Sequence, residues 1–297
     1  MTLLGPDDPP PFELVNPDGK ACALLVADHA GRAFPKSLGT LSVDMGALDR
    51  HVAYDIGIEA FSRRLAERLD ATLVLHRYSR LILDPNRQLD DPTSICAISD
   101  GVIVPGNAKL TREDEAARAD AFFHPYHDAV AEQLDRIAAR CPAPALLSLH
   151  SFTPVMRGFA RPWQVGVLWR DDGRIPLPLM EALRRDPEIT VGDNQPYSGR
   201  NEHGYTIHHH AEPRGLPHVL IEMRQDLIAV DAAAEAWADR MAELFAPILA
   251  DPALYQPLQA VAALPGQERA LRLGLDALGD HQQPEVAPHL DDRARDR

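Results

Sequence analysis

The chain has 297 residues, of which 45% are hydrophobic and 25% are charged, and its formal net charge is −14. These values are typical of a globular protein that is long enough to bury a substantial core without disulfides. The negative charge argues against a nucleic-acid binder and against a partner on an anionic membrane, because both need a basic surface. We find no apolar run of about 18 residues, so we expect no transmembrane helix.

The chain has three widely spaced cysteines, Cys22, Cys96 and Cys141. The absence of a Cys-x-x-Cys pair argues against a thiolate metal site or a redox motif. The N-terminal stretch Met1–Phe12 is acidic and rich in proline, which is not typical of a signal peptide. We therefore expect three reduced thiols in a cytoplasmic protein.

Apolar runs alternate with amphipathic segments along the chain, which is typical of strands that alternate with helices. We predict strands at 21–27, 71–76, 144–149, 164–169 and 218–222, an extended segment at 79–83, and helices at 55–68, 113–140 (interrupted at Pro125), 177–185 and 230–249. This order predicts an α/β fold, a three-layer α/β/α sandwich around a mostly parallel mixed sheet. We expect residues 1–250 to form one domain and residues 251–297 an extension, helical near 268–278 and then disordered.

Three of the predicted strands end in side chains that can bind a metal or transfer a proton. His29 follows the first strand, His150 follows the strand at 144–149, and Glu222 ends the strand at 218–222. Ligands of such sheets bind beyond the carboxyl ends of the strands, so we expect the three to lie close together. Each alone has a structural alternative: a turn histidine, a hydrogen-bonded strand-end histidine, and a carboxylate paired with Arg224. Together they favour a catalytic metal site with a general base.

A metal site of this kind needs a third protein ligand, and two carboxylates compete for that position. Asp49 and Asp55 both lie near the start of the helix predicted at 55–68. Each also fits a structural role, Asp49 as a helix N-cap and Asp55 as an acid in the first helical turn. The residues alone leave this choice open.

A dense polar and basic segment spans residues 78–87. Its Arg80, Asn86 and Arg87 are candidates for binding a carboxylate, because arginine forms paired hydrogen bonds with that group. The alternative is a solvated loop held by Arg–Asp pairs. Tyr197 is a candidate for a lid or an oxyanion donor, and the cluster His208–His210 is a candidate to contribute one side chain to the site.

Other enzyme classes find no support in the motifs. The chain has no glycine-rich phosphate loop, no dinucleotide-binding fingerprint and no Gly-x-Ser-x-Gly nucleophile elbow. No cysteine lies in the strand-end context that a Cys–His hydrolase needs.

Six stretches match, in chain order, the motifs of one enzyme family. They are Asp28–Arg32, Asp49–Val52, Ser79–Arg80 with Asp84–Arg87, Leu149–Phe152, Asp193–Ser198 and Ile221–Leu227, and they span roughly residues 26–228. In these stretches the chain resembles the N-formylglutamate amidohydrolases, which are similar to the zinc carboxypeptidases. The resemblance implies a zinc-carboxypeptidase-like fold, one bound zinc ion, and a single catalytic domain over residues 1–250.

The resemblance also implies a role for the catalytic candidates. His29, Asp49 and His150 match the zinc ligands, with Asp49 preferred at the third position. Glu222 matches the general base, and Arg80 matches an arginine that polarises the scissile carbonyl.

For the substrate, the resemblance implies a small molecule with a free carboxylate. Asn86 and Arg87 match the pair that holds this group, with Arg224 and Tyr197 as further candidates for substrate binding. The implied reaction converts N-formyl-L-glutamate to formate and L-glutamate, a step in histidine catabolism. The alternatives are a related zinc hydrolase acting on another N-acyl amino acid or a cell-wall-type amide, and a non-catalytic carboxylate-binding protein. The oligomeric state is left open.

Overall fold

The structure is a computed structural model that describes residues 2–201, 204–256 and 258. Its strands are β1 (Phe12–Val15), β2 (Ala23–Ala27), β3 (Thr72–His76), β4 (Ile98–Ser99), β5 (Val102–Ile103), β6 (Ala145–Phe152), β7 (Val155–Met156), β8 (Phe159–Ala160), β9 (Val165–Leu168), β10 (Val191–Asp193) and β11 (His218–Arg224). Its α-helices are α1 (Ile58–Leu69), α2 (Arg112–Arg118), α3 (His124–Ala138), α4 (Pro176–Leu183), α5 (Thr206–His210) and α6 (Asp231–Leu249). Within the described residues, none of the helices is both long and apolar enough to cross a membrane.

A seven-stranded sheet with the order β1-β3-β2-β6-β11-β9-β10 forms the centre of the molecule. Strands β3, β2, β6 and β11 run parallel to one another. Strands β9 and β10 are parallel to each other and antiparallel to β11, and β1 is antiparallel to β3. The predicted mostly parallel mixed sheet is confirmed.

Helices cover both faces of this sheet, and the alternation of side chains along β2 shows how. Ala23 and Leu25 pack in a cluster with α1, α4 and α6, whereas Leu24 and Val26 pack with α3 on the opposite face. A strand buried on both faces must be apolar at every position, which explains the continuous run Ala23–Ala27. The predicted three-layer sandwich is therefore confirmed.

Two predicted elements differ in the structure. Residues 79–83 form turns rather than an extended strand. The helical stretch at 113–140 divides into α2, a π-helical turn at Ala119–Phe123, and α3. The π-helical turn thus precedes Pro125, which lies in the first turn of α3. The helix and the disorder expected within the C-terminal extension lie outside the described residues.

The cysteines also differ from the prediction. Cys22 and Cys141 are joined by a disulfide, with Cα atoms 5.8 Å apart, and Cys96 is free. The two partners meet because Cys22 immediately precedes β2 and Cys141 follows α3, which packs on that strand. The prediction of three reduced thiols is wrong for this pair.

Candidate active site

Three parallel neighbouring strands bring the predicted strand-end residues to one edge of the sheet. His150 and Glu222 are register partners in β6 and β11, and His29 follows β2 on the other side of β6. All three are nearly inaccessible, with exposed fractions of 3% for His29, 3% for His150 and 6% for Glu222. They line one cavity of about 680 Å³. The predicted proximity of these three side chains is confirmed.

A buried group of three donors lies at the floor of this cavity: His29, Asp55 and His150. The Nδ1 atoms of the two histidines are 3.1 Å apart. Oδ2 of Asp55 lies 3.1 Å from Nδ1 of His150 and 3.6 Å from Nδ1 of His29. Tetrahedral ligands held about 2.0–2.1 Å from a zinc ion are separated by about 3.3–3.4 Å. The donor types and their spacing therefore fit a small divalent cation.

The third donor is Asp55 and not Asp49. The Asp49 side chain is 70% exposed and pairs with Arg32 at 2.7 Å, outside the cavity. Asp55 is drawn inward because its backbone N–H donates to the carbonyl of His29 at 2.9 Å, and its carboxylate accepts from the N–H of Ser151 at 3.0 Å. The preference for Asp49 is wrong, because the turns at residues 48–57 carry the chain back to His29 before α1 begins.

Two further carboxylates hold the outer nitrogens of the histidines. Nε2 of His29 lies 2.6 Å from Asp84, and Nε2 of His150 lies 3.1 Å from Asp28. A carboxylate at Nε2 fixes the tautomer that keeps the proton there and turns the Nδ1 lone pair toward the donor group. Burial alone would raise the pKa of Asp84, but Arg80 and His29 hold it well below its usual value. Sequence reasoning gave neither Asp28 nor Asp84 a role, although both lie in motifs already singled out.

Glu222 has the properties that a general base requires. Its Oε2 atom is buried and has no hydrogen-bond partner among the described residues. Burial raises the pKa of Glu222 to about 7, against the opposing influence of His150. A buried carboxylate with a pKa near neutrality and one oxygen without a hydrogen-bond partner among the described residues is well matched to accept and return a proton.

Arg80 supplies positive charge next to the donor group. Its Nη2 donates to Asp84 at 2.5 Å, and its Nη1 lies 3.5 Å from Oδ1 of Asp55. The guanidinium also lines the cavity, so it is able to reach a bound substrate.

Of the four predicted substrate-binding residues, Asn86, Arg87 and Tyr197 line the cavity. Oδ1 of Asn86 accepts hydrogen bonds from the N–H groups of Tyr205 and Thr206, at 2.8 and 3.1 Å. This fixes the amide and leaves its Nδ2 group to act as the donor.

The structure does not bring Arg224 to the cavity wall. Its Nε donates to Asp226 at 2.8 Å, and its Nη1 lies 3.3 Å from the carbonyl of Pro162. Arg224 is also missing from the described residues that line the cavity. The carboxylate of Asp226 holds the guanidinium away from the cavity lining, so the role of Arg224 in substrate binding stays a prediction without support from this geometry.

The cavity lining also includes a charged group that sequence reasoning missed, formed by Arg170, His208 and Glu212. Glu212 accepts hydrogen bonds from Arg170 and from His208, the latter at 2.8 Å. The bond to Glu212 raises the pKa of His208, and Arg170 places a positive charge beside the same carboxylate. One member of the histidine cluster thus lines the cavity, as the sequence suggested.

A buried His–Asp–His group with a carboxylate base in the same cavity is typical of metal-dependent hydrolases, and its place at the carboxyl edge of a mostly parallel sheet is typical of ligand sites in α/β folds. The sequence profile of the N-formylglutamate amidohydrolases matches residues 21–229, and the chain belongs to that family. It is therefore an amidohydrolase.

Two solved structures share the architecture. A gene product of Agrobacterium tumefaciens is 34% identical, with a TM-score of 0.80, over 83% of this chain and 98% of that chain. The N-formylglutamate amidohydrolase of Ralstonia eutropha is 22% identical, with a TM-score of 0.56, over 80% of this chain and 97% of that chain. The second likeness shows the fold alone. A comparison with curated proteins gave no match.

Proposed function

We propose that this chain, with one zinc ion held by His29, Asp55 and His150, hydrolyses the amide bond of a small N-acyl amino acid. The first candidate substrate is N-formyl-L-glutamate, with formate and L-glutamate as products. The observation that carries the proposal is the buried, unpartnered oxygen of Glu222, in the same cavity as the three donors.

The ion and the base have separate tasks in this proposal. Bound at the donor group, zinc supplies Lewis-acid chemistry, lowering the pKa of water and polarising carbonyl oxygens. Glu222 takes a proton from the attacking water and returns it to the leaving amine. Its pKa of about 7 lets it perform both transfers near neutral pH.

Charge on the carbonyl oxygen develops as the water attacks, and we assign its stabilisation to Arg80, whose guanidinium lines the cavity. One such donor contributes about 3 kcal/mol of transition-state stabilisation. Asp84 keeps the Arg80 guanidinium oriented through the 2.5 Å hydrogen bond.

The substrate carboxylate is assigned to Asn86 and Arg87. Nδ2 of Asn86 and the guanidinium of Arg87 are donors on the same wall of the cavity. Nη1 of Arg87 donates to the carbonyl of Asn86 at 2.9 Å, so the two residues are held together. With N-formyl-L-glutamate as substrate, the reaction belongs to histidine catabolism.

The cytoplasmic location stays a prediction. The Cys22–Cys141 disulfide weighs against it, because such bonds are more typical of oxidising compartments.

The test is formate release from N-formyl-L-glutamate, compared with N-formyl-L-glutamine and with other N-formyl and N-acetyl amino acids. Each substrate is assayed before and after chelation, and again after zinc is restored. We expect turnover that is lost with chelator, restored by zinc, and highest for N-formyl-L-glutamate. A different preferred amide would change the substrate and keep the reaction, whereas chelator-resistant turnover would remove the metal from the proposal.

The assignment of Arg87 has its own comparison. Arg87→Ala should raise KM for a substrate with a free α-carboxylate and leave KM for the α-methyl ester nearly unchanged. An equal loss on both substrates would contradict that role.

A further inference from the structure

The segment Arg80–Arg87 carries the polar groups of the site without regular secondary structure. It supplies Arg80, Asp84, Asn86 and Arg87, yet its backbone follows turns, and residues 81–86 are buried. Buried carbonyl groups outside a helix or sheet need other hydrogen-bond donors. Two side chains from further along the chain, those of Asn107 and Arg118, supply donors to the carbonyls of Leu81 and Ile82.

Arg118 and Asn107 provide donors at the start of this segment. Nη1 of Arg118 donates to the carbonyl of Ile82 at 2.9 Å and to Oδ1 of Asn107 at 2.6 Å. Nη2 of Arg118 donates to the carbonyl of Gly106 at 3.1 Å. Nδ2 of Asn107 donates to the carbonyls of Leu81 and Cys96, at 2.8 and 2.9 Å.

The chemistry of Arg118 sets it apart from an ordinary packing residue. Its side chain is buried, and within the described residues its hydrogen-bond acceptors are all neutral oxygens. Asp114 and Glu115 attract the guanidinium only from a distance, and burying it without a hydrogen-bonded carboxylate costs more free energy than burying an apolar side chain. What the guanidinium adds is a rigid fork that reaches several oxygens at once.

We infer that Arg118, with Asn107, is a positioning residue for the proposed hydrolysis: it holds the segment that aims Arg80 and Asp84 at the site. Neither residue lines the cavity, and their effect passes through the backbone at Leu81 and Ile82. Asp84 lies two residues beyond Ile82 and holds His29, so displacement of the segment disturbs the donor group as well. The inference rests on the proposed function for its catalytic consequence, whereas the positioning itself is independent of it.

The first measurement is amide hydrogen exchange in the Arg118→Met protein. Residues 80–87 should exchange at least tenfold faster than in the wild type, with β2 and β6 unchanged. The matched control is Arg140→Met, because Nη2 of Arg140 also donates to two backbone carbonyls, those of Gly19 and Ala21, before β2 begins. Unchanged exchange at residues 80–87 in Arg118→Met, or equal acceleration in the control, would overturn the inference.

The second measurement is a double-mutant comparison of kcat/KM and of zinc affinity. We expect Arg118→Met to lower both at least tenfold, and we expect little further loss when it is added to Asp84→Asn, because the two act through one segment. Losses that multiply in the double variant would contradict the inference. If Arg118→Met does not fold, Arg118→Lys and Asn107→Leu are measured instead. Each should accelerate exchange at residues 80–87 and lower kcat/KM and zinc affinity, by a smaller factor than expected for Arg118→Met.

The proposed hydrolysis and the positioning role of Arg118 can be refuted independently of each other. A wild-type protein that hydrolyses none of the amides counts against the proposed function alone, and hydrogen exchange still decides the role of Arg118.

Discussion

Asp84 and His29 form a buried pair in which Oδ1 of the carboxylate lies 2.6 Å from Nε2 of the ring. The carboxylate accepts a hydrogen bond from the Nε2–H group and so leaves Nδ1 of His29 as a lone-pair donor toward Asp55 and His150. Asp84 therefore determines that Nε2 of the ring carries the proton and that Nδ1 is the nitrogen directed toward the metal site.

Asp84→Asn should weaken zinc binding and turnover by about 10–100-fold, the usual cost of losing an outer partner of a metal-binding histidine. The amide also removes the charge that Arg80 pairs with. Zinc affinity from chelator competition and kcat/KM are the measurements. Asp90→Asn, an exposed change in the same stretch of chain, is the control and should match the wild type. Equal behaviour of the two variants would show that Asp84 does not orient His29.

The sequence predicts the layered fold and three of the site residues for a single physical reason. Strands β2, β6 and β11 are neighbours and parallel, so side chains at their carboxyl ends converge. An apolar run that ends in a polar residue is visible in the sequence, and His29, His150 and Glu222 each follow or end such a run. Their convergence then follows from the rule for ligand sites in α/β sheets.

The rest of the site depends on irregular backbone, which periodicity does not describe. Asp55 reaches His29 through a backbone hydrogen bond within turns, and nothing in its spacing separates it from Asp49. Asp84 lies on irregular backbone in the interior, directly after residues 79–83, which the sequence pattern predicts as extended. Cys22 and Cys141 are 119 residues apart and meet only once α3 has packed on β2. Such pairings follow from tertiary contacts that no local pattern records.

The pH dependence of turnover should report the ionisation of Glu222. Burial raises its pKa to about 7. A base must be deprotonated, so kcat/KM should fall about tenfold per pH unit once the pH drops below that pKa. A bound cation favours the charged carboxylate, so in the zinc-loaded enzyme this limb should lie at or below pH 7.

The variant that checks this limb is Glu222→Gln, which should lose about 10²–10⁴-fold in kcat and lose the limb with it. The fold and the zinc content should be retained. Glu181→Gln, an exposed change on α4, should keep both the rate and the profile. A Glu222→Gln enzyme with an unchanged acid limb would assign the base to another group.

Acid should destabilise the fold through two buried histidines behind the site. Burial lowers the pKa of His127 to about 4 and that of His210 to about 3, and the two rings share a 3.0 Å hydrogen bond. The unfolded chain takes up protons near pH 6.5 and the folded chain does not, so stability is full above that pH and falls as the pH decreases toward 4. The loss attributable to His127 is about 3 kcal/mol.

Urea unfolding between pH 7 and 4 measures this loss. His127→Gln should flatten the dependence of the free energy of unfolding on pH, whereas His124→Gln, on the exposed side of the same helix, should leave the slope as it is. Identical slopes for all three proteins would mean that His127 is not the titrating group.

The central claim is that His29, Asp55 and His150 hold one divalent ion on which hydrolysis depends, and the most direct measurement is the metal content of three proteins together with their turnover. These are the wild type, Asp55→Asn and Asp49→Asn. We predict about one zinc per chain and full activity for the wild type and for Asp49→Asn, and loss of both for Asp55→Asn. An Asp55→Asn protein that retains zinc and activity, or an Asp49→Asn protein that loses them, would contradict the account.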